Sequence, residues 1–101
     1  MDEVATSKYG VRIRLPDERW RHILERHGGL EGQKALVLRA VAEPERIVEG
    51  NDGALMAILP MAENKVLVTV YKEINQNDGF VITAFPTRRL TALNQRRQRW
   101  P

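Results

Sequence analysis

KVLVTVYKE at residues 65–73 and GFVITAF at residues 79–85 carry the strongest pattern in the chain, two β-branched, apolar runs separated by Ile74 and the turn residues Asn75-Gln76-Asn77-Asp78. Valine, isoleucine, threonine and aromatic residues fill both runs, which is strand composition, and so short a polar link fits an antiparallel pair. Side chains on a strand alternate between its two faces. Val66, Val68 and Val70 therefore share one face, matched by Phe80, Ile82 and Ala84. This all-apolar face is expected to pack against helices. The opposite faces carry Leu67, Thr69 and Tyr71 on one strand and Val81, Thr83 and Phe85 on the other. With hydroxyls set among apolar groups, they make the expected open floor for a ligand.

Two further strands precede this pair, Arg46 to Glu49 and Ala54 to Leu59, with turn signals at Gly50-Asn51-Asp52-Gly53 and Ala62-Glu63-Asn64. Connections this short predict an antiparallel meander of four strands. Before it, Leu36, Val37, Ala40 and Val41 give a helix from about Glu31 to Ala42, closed by Pro44. Asp17 opens an earlier helix that Gly28 and Gly29 stop, and Tyr9 to Leu15 alternates Val11, Ile13 and Leu15 with Arg12 and Arg14, the pattern of an edge strand. The expected fold is α+β: an N-terminal strand and a helix hairpin packed on one face of a four-stranded antiparallel sheet. Pro86 is expected to end the last strand, and after it only Leu90 and Leu93 offer a spaced apolar pair. The chain is thus read as a single domain over residues 1–87, followed by a short basic tail over residues 88–101.

With 101 residues, 43% of them hydrophobic, there is enough material for one modest core. There is no cysteine, so disulfides and thiolate metal sites are excluded, and no metal or cofactor is expected. The first ten residues, MDEVATSKYG, lack the apolar run of a signal peptide, and no later stretch is long enough for a membrane span, so a soluble, cytoplasmic protein is expected. The net charge of +3 is unevenly distributed, because Arg88, Arg89, Arg96, Arg97 and Arg99 fall in a segment with no acidic residue. Such a segment attracts phosphate backbones or an acidic protein. Walker, Rossmann, nucleophile-elbow and metalloprotease motifs are absent, and Asp52, Glu63 and Asp78 all sit in turn sequences, which gives no support to a two-carboxylate glycosidase.

The chemistry concentrates in the first helix. WRHILERH at residues 20–27 holds both histidines of the chain. Helical spacing puts Trp20, Ile23, Leu24 and His27 on an inward stripe and Arg19, His22 and Arg26 on a polar one. Imidazole transfers protons near neutrality and guanidinium binds phosphate, so His22, His27 and Arg26 are candidate catalytic groups for phosphate-ester chemistry. Thr83 is the candidate hydroxyl on the last strand. Tyr71 and Lys72 end the preceding strand and, with Arg88 and Arg89 just past Pro86, are candidate substrate-binding groups at the floor and rim. Each has an ordinary structural alternative: a helix-end histidine, a surface histidine, a strand threonine, a solvated arginine pair.

With HILERH in its first helix, GFVITAF in its last strand, and a helix hairpin before a meander, the chain from Leu15 to Phe85 resembles the barnase-EndoU-colicin-RelE-like superfamily of small ribonuclease folds. It is most similar to the phage- and toxin-associated branches. The resemblance implies a metal-independent endoribonuclease, a toxin of a conflict or toxin–antitoxin system, that drives the RNA 2′-hydroxyl onto the adjacent phosphate. RNA and a neutralising antitoxin or immunity protein are then its implied partners. His22, Arg26 and His27 fall on the helix motif of the similar sequences and Thr83 on their strand hydroxyl, whereas Gly28 and Gly29 stand where many have Pro and Glu. A fold does not transmit activity, so the competing expectation is a non-catalytic module binding RNA or protein on the same scaffold.

Overall fold

Residues 3–101 are described by a computed structural model of the chain. Its elements are β1 (Glu3–Thr6), β2 (Arg12–Leu15), α1 (Asp17–Arg26), a 3₁₀ turn (Gly28–Leu30), α2 (Lys34–Ala42), β3 (Arg46–Glu49), β4 (Leu55–Ala62), β5 (Lys65–Glu73), β6 (Gly79–Thr87), α3 (Leu90–Asn94) and β7 (Gln98–Trp100). All strands join one sheet in the order β1-β2-β6-β5-β4-β3-β7.

The α+β class holds, but the expected four-stranded antiparallel sheet is replaced by a seven-stranded mixed one. Strands β3 to β6 form the meander, while the β1–β2 hairpin adds to one side through a parallel β2–β6 pairing of Ile13 and Arg14 with Gly79 and Phe80. A parallel neighbour requires a long crossover, here everything from α1 to β5, and no local signal announces it. Bidentate hydrogen bonds from Arg14 to Asp78, at 2.8 and 3.1 Å, secure the junction. Gly79 is obligatory there: a Cβ would stand 2.5 Å from the Lys72 carbonyl oxygen and 2.6 Å from Ile13 Cδ1.

The segment read as a basic tail is structured. After α3 the chain returns as β7 and pairs antiparallel with β3, Ile47 opposite Trp100 and Val48 opposite Gln98. Pro86 lies within β6 opposite Leu67 instead of ending it; among the described residues no strand lies on the other side of β6 beyond Phe80, and an edge tolerates proline. The two ends of the strand order meet. Tyr9 Oη donates to the Arg99 carbonyl at 3.0 Å and Lys8 Nζ lies 4.9 Å from the centroid of the Trp100 ring, so the sheet curls round α2, which packs on β1, β4 and β5.

The face assignment from sequence is inverted for β5. Leu67 and Tyr71 pack beneath the helices with Ile23, Val37 and Val41, and Thr69 is buried beside them. The valine face, Val66 and Val68, packs with Val48, Met56, Ile58 and Leu93 on the other side, where α3 covers part of it. On β6 a bulge divides the faces: Val70 pairs with Thr83 but Tyr71 with Val81, leaving Ile82 as the extra residue. Val81 and Ala84 therefore point to the helices, while Phe85 joins the open side.

Candidate functional site

Helix α1 takes the orientation its stripes dictate. Ile23 is fully buried, Trp20, Leu24 and His27 are half-buried, and Arg19, His22 and Arg26 are exposed. Burying one isoleucine contributes about 2 kcal/mol, which is enough to fix which way so short a helix faces. The helix packs against β6.

The polar stripe and the bulge thereby form one pocket. Arg19, His22 and Arg26 from α1 face Ile82 and Thr83 from β6 across a cavity of about 290 Å³, floored by Ile23. The bulge is the local device that brings Thr83 here, since an unbroken strand places Val81 and Thr83 on the same face. His22 Nδ1 stands 3.6 Å from Glu25 Oε2, one turn along the helix. His27 does not line this pocket; its ring packs against Phe85, centroids 6.1 Å apart and tilted by 40°. Both histidines thus reach the same strand, His22 at the bulge and His27 two residues further on.

Ile82 and Thr83 also line a second, larger groove of about 570 Å³ on the open face of the sheet. Its apolar walls are Met56, Val70, Phe80 and Phe85, and its polar end is made by Asn51, Asp52, Lys72 and Arg96. Arg96 Nη1 donates to the Glu49 carbonyl at 3.1 Å and to Asn51 Oδ1 at 3.3 Å, and Lys72 Nζ donates to the Asp52 carbonyl at 3.2 Å, so the polar end is pinned to the β3–β4 turn. A smaller cavity continues past Met56, Phe85 and Arg96 to Thr87 and Arg89. The three form one track with cations along it, Arg19 and Arg26, then Lys72 and Arg96, then Arg89.

The structure gathers His22, Arg26 and Thr83 in one pocket, sets His27 against Phe85, and places Lys72 at the polar end of the larger groove and Arg89 in the smaller cavity beyond it. Tyr71 must be corrected: it is wholly buried on the helix side, and burial pushes its phenol well above the usual tyrosine range. Its face was misread because both faces of β5 are apolar enough to be buried. Arg88 lines none of these cavities and donates instead to the Glu63 carbonyl at 3.0 Å. Sequence reading gives Asn51, Asp52 and Phe80 no site role and counts Arg96 only within the basic segment. Phe80 was assigned to the packed face, and the others meet only through the fold, although a turn holding Asn and Asp beside a strand ending in Lys is the trace they leave.

Among the described residues no three of the histidine and carboxylate groups stand together as a metal site, and no helix is long and apolar enough to cross a membrane. Comparison with protein-family models, curated proteins and solved structures gave no match.

Proposed function

We propose that this chain is an endoribonuclease that acts without a metal ion, through imidazole and guanidinium groups. The observation that carries this reading is the single pocket where Arg19, His22 and Arg26 face Thr83, next to an aromatic, cation-edged groove with which it shares Ile82 and Thr83. RNA supplies its own nucleophile. A neutral histidine takes the proton of the 2′-hydroxyl, the oxygen attacks the adjacent phosphorus, the bond to the 5′-oxygen breaks, and a protonated group returns a proton to that leaving oxygen. The products are a 2′,3′-cyclic phosphate and a free 5′-hydroxyl. Arg26 and Arg19 neutralise the charge that builds on the phosphoryl oxygens, and the Thr83 hydroxyl donates to one of them. His22 and His27 are the two candidates for proton transfer, one on each side of the bulge. Deployment as a toxin restrained by an acidic inhibitor fits the cationic track.

A second reading has one observation in its favour. His22 is 57% exposed and leans toward Glu25, the posture of a surface residue, so the same track also suits an RNA-binding module without catalysis. Incubating the chain with several RNAs in EDTA, beside His22→Ala and His27→Ala, separates the two. Cleavage to cyclic-phosphate ends, lost in at least one variant, supports the nuclease. Binding without cleavage supports the module, and cleavage untouched by both substitutions removes the histidines from the mechanism.

A further inference from the structure

Glu49, at the end of β3, holds the C-terminal segment with its N–H, its carbonyl and its carboxylate alike. The N–H donates to the Arg97 carbonyl at 2.8 Å, the carbonyl accepts from Arg96 Nη1 at 3.1 Å, and Oε1 accepts from Arg99 Nη1 at 3.3 Å. On one side of it Arg46 Nη2 donates to Asn94 Oδ1 at 2.6 Å and fastens the end of α3. On the other, the β1–β2 hairpin adds the Tyr9 bond to Arg99 and the Lys8 contact with Trp100. Residues 90–100 thus form a strap tied down mainly through polar groups. Its packing is thin. Leu93 is the only buried residue in it, and β7 is three residues long with a register shift between Ile47 and Val48 in its pairing to β3. Beneath α3 a cavity of about 180 Å³ remains, bordered by Met56, Phe85 and Leu93. Segments with few buried apolar contacts and exposed hydrogen bonds open at a lower free energy than the whole domain.

The strap also carries part of the larger groove. Arg96 lines that groove and the cavity beneath α3, and its second bond, to Asn51 Oδ1 at 3.3 Å, reaches the β3–β4 turn at the groove's polar end. Both bonds use Nη1, which leaves the other guanidinium nitrogens of Arg96 to a ligand. We propose that residues 90–100 open as a unit while the rest of the sheet stays folded, and that an anionic ligand in the groove closes them. With the strap open the groove loses Arg96 and keeps Lys72 as its cation, and the smaller cavity loses its roof. A ligand that touches Arg96 and Lys72 together therefore binds the closed form, and a ligand shifts two states by its difference in affinity for them. That the ligand is a phosphate-bearing strand rests on the ribonuclease reading above; the opening of the strap does not.

Amide hydrogen exchange on the intact chain reads the opening directly. The Glu49 amide, whose acceptor lies in the strap, is expected to exchange at least about tenfold faster than the amides of Val68 and Thr69 in the middle of β5. Its rate is also expected to depend far less on urea, because a local opening exposes little surface. A single-stranded oligodeoxynucleotide, which has no 2′-hydroxyl to attack the phosphate, then tests the coupling. At saturation it is expected to slow exchange at Glu49 by about tenfold or more and to raise the urea midpoint of the whole chain. Exchange at Glu49 with the rate and urea dependence of the β5 amides makes the strap part of the global unit and overturns the proposal. RNA cleavage by such a chain leaves the nuclease reading standing without it. A raised midpoint with unchanged exchange at Glu49, or exchange hastened by the oligonucleotide as phosphates draw Arg96 and Arg99 from Glu49, overturns the coupling. An oligonucleotide that does not bind sinks the nucleic-acid reading of the track and the coupling with it, and the urea dependence at Glu49 then decides the strap alone.

Discussion

Thr69 Oγ1 on β5 donates a 3.0 Å hydrogen bond to the backbone carbonyl of Val37 on α2, inside the core. Thr69 is fully buried, and this bond is what lets a hydroxyl occupy the middle of the packed face of the sheet. Thr69→Val keeps the shape and removes the donor, so it is expected to cost about 1 kcal/mol, read as a drop of roughly 5 °C in the thermal midpoint. RNA cleavage is expected to be unchanged, because residue 69 faces away from the groove. An unaltered midpoint would show that the bond contributes nothing net.

That buried threonine explains where sequence reading succeeds and where it stops. Helix α1 was legible almost to the residue, because Ile23 and its neighbours form a narrow apolar stripe against charged residues. Strand β5 was legible in extent but not in orientation. Val66 and Val68 on one face and Leu67, Thr69 and Tyr71 on the other are all buried, and alternation separates faces only when one is polar. The bulge at Ile82 shifts the period of β6 by one residue without any glycine to mark it. Strands β1 and β7 are three or four residues long and gain their pairing from partners far along the chain. The site followed the same rule: His22, Arg26 and Thr83 were legible as residue types in regular elements, whereas Arg96 acquires its place only by reaching Asn51, 45 positions away.

The Tyr71 hydroxyl is buried with no hydrogen-bond partner among the described residues. Leaving a buried hydroxyl unpaired costs on the order of 1–3 kcal/mol, so Tyr71→Phe is expected to be neutral or to raise the thermal midpoint by several degrees. Cleavage of RNA is expected to stay at the level of the parent chain. A loss of activity in this variant, with the fold intact by circular dichroism, would contradict the placement of Tyr71 beneath the helices.

Arg26 and Thr83 contribute differently to one pocket, and salt distinguishes them. On the ribonuclease reading Arg26 would contact phosphate, so Arg26→Ala is expected to weaken RNA binding and to reduce the slope of log affinity against log salt by about 0.7 for a single strand. Thr83→Val leaves that slope unchanged. On the same reading it is expected to lower kcat by roughly tenfold with little effect on KM, the pattern of a hydroxyl that acts on charge developing during the reaction. The reverse pattern would exchange the two roles.

Lys34 on α2 reaches Glu3 on β1 at 2.7 Å and Asp17 on α1 at 3.1 Å, fastening both elements to the second helix. The hydrogen bond to Glu3, aided by the one to Asp17, holds the Lys34 ammonium above the usual lysine range. A raised value in the folded state means that the stabilisation is fully present below the ordinary lysine value of about 10.4 and is lost as pH rises through the folded one. Thermal midpoints of the parent chain and Lys34→Met are therefore expected to differ at neutral pH and to converge above about pH 10.5. A constant difference through that range would mean that Lys34 acts through its methylene stem alone.

Because β7 is part of the sheet, removing the C-terminal residues tests the architecture more sharply than any point change. A detached basic segment contributes only charge: its loss weakens RNA binding in a salt-dependent way and leaves stability untouched. Here, however, Glu49 N–H donates to the Arg97 carbonyl at 2.8 Å, Trp100 pairs with Ile47 and packs on the main core, and Arg96 fixes the β3–β4 turn. Deleting residues 96–101 strips these contacts together and exposes the edge of β3, a loss of about 2–4 kcal/mol from a domain whose whole stability is about 5–15 kcal/mol. The truncated chain is expected to melt at least 10 °C lower on that basis. Arg97→Ala, which takes away a charge but no described packing, is expected to keep the parent midpoint while lowering the salt dependence of RNA binding. Equal midpoints for the truncated and full chains would detach β7 from the fold and return these arginines to the role of a solvated tail.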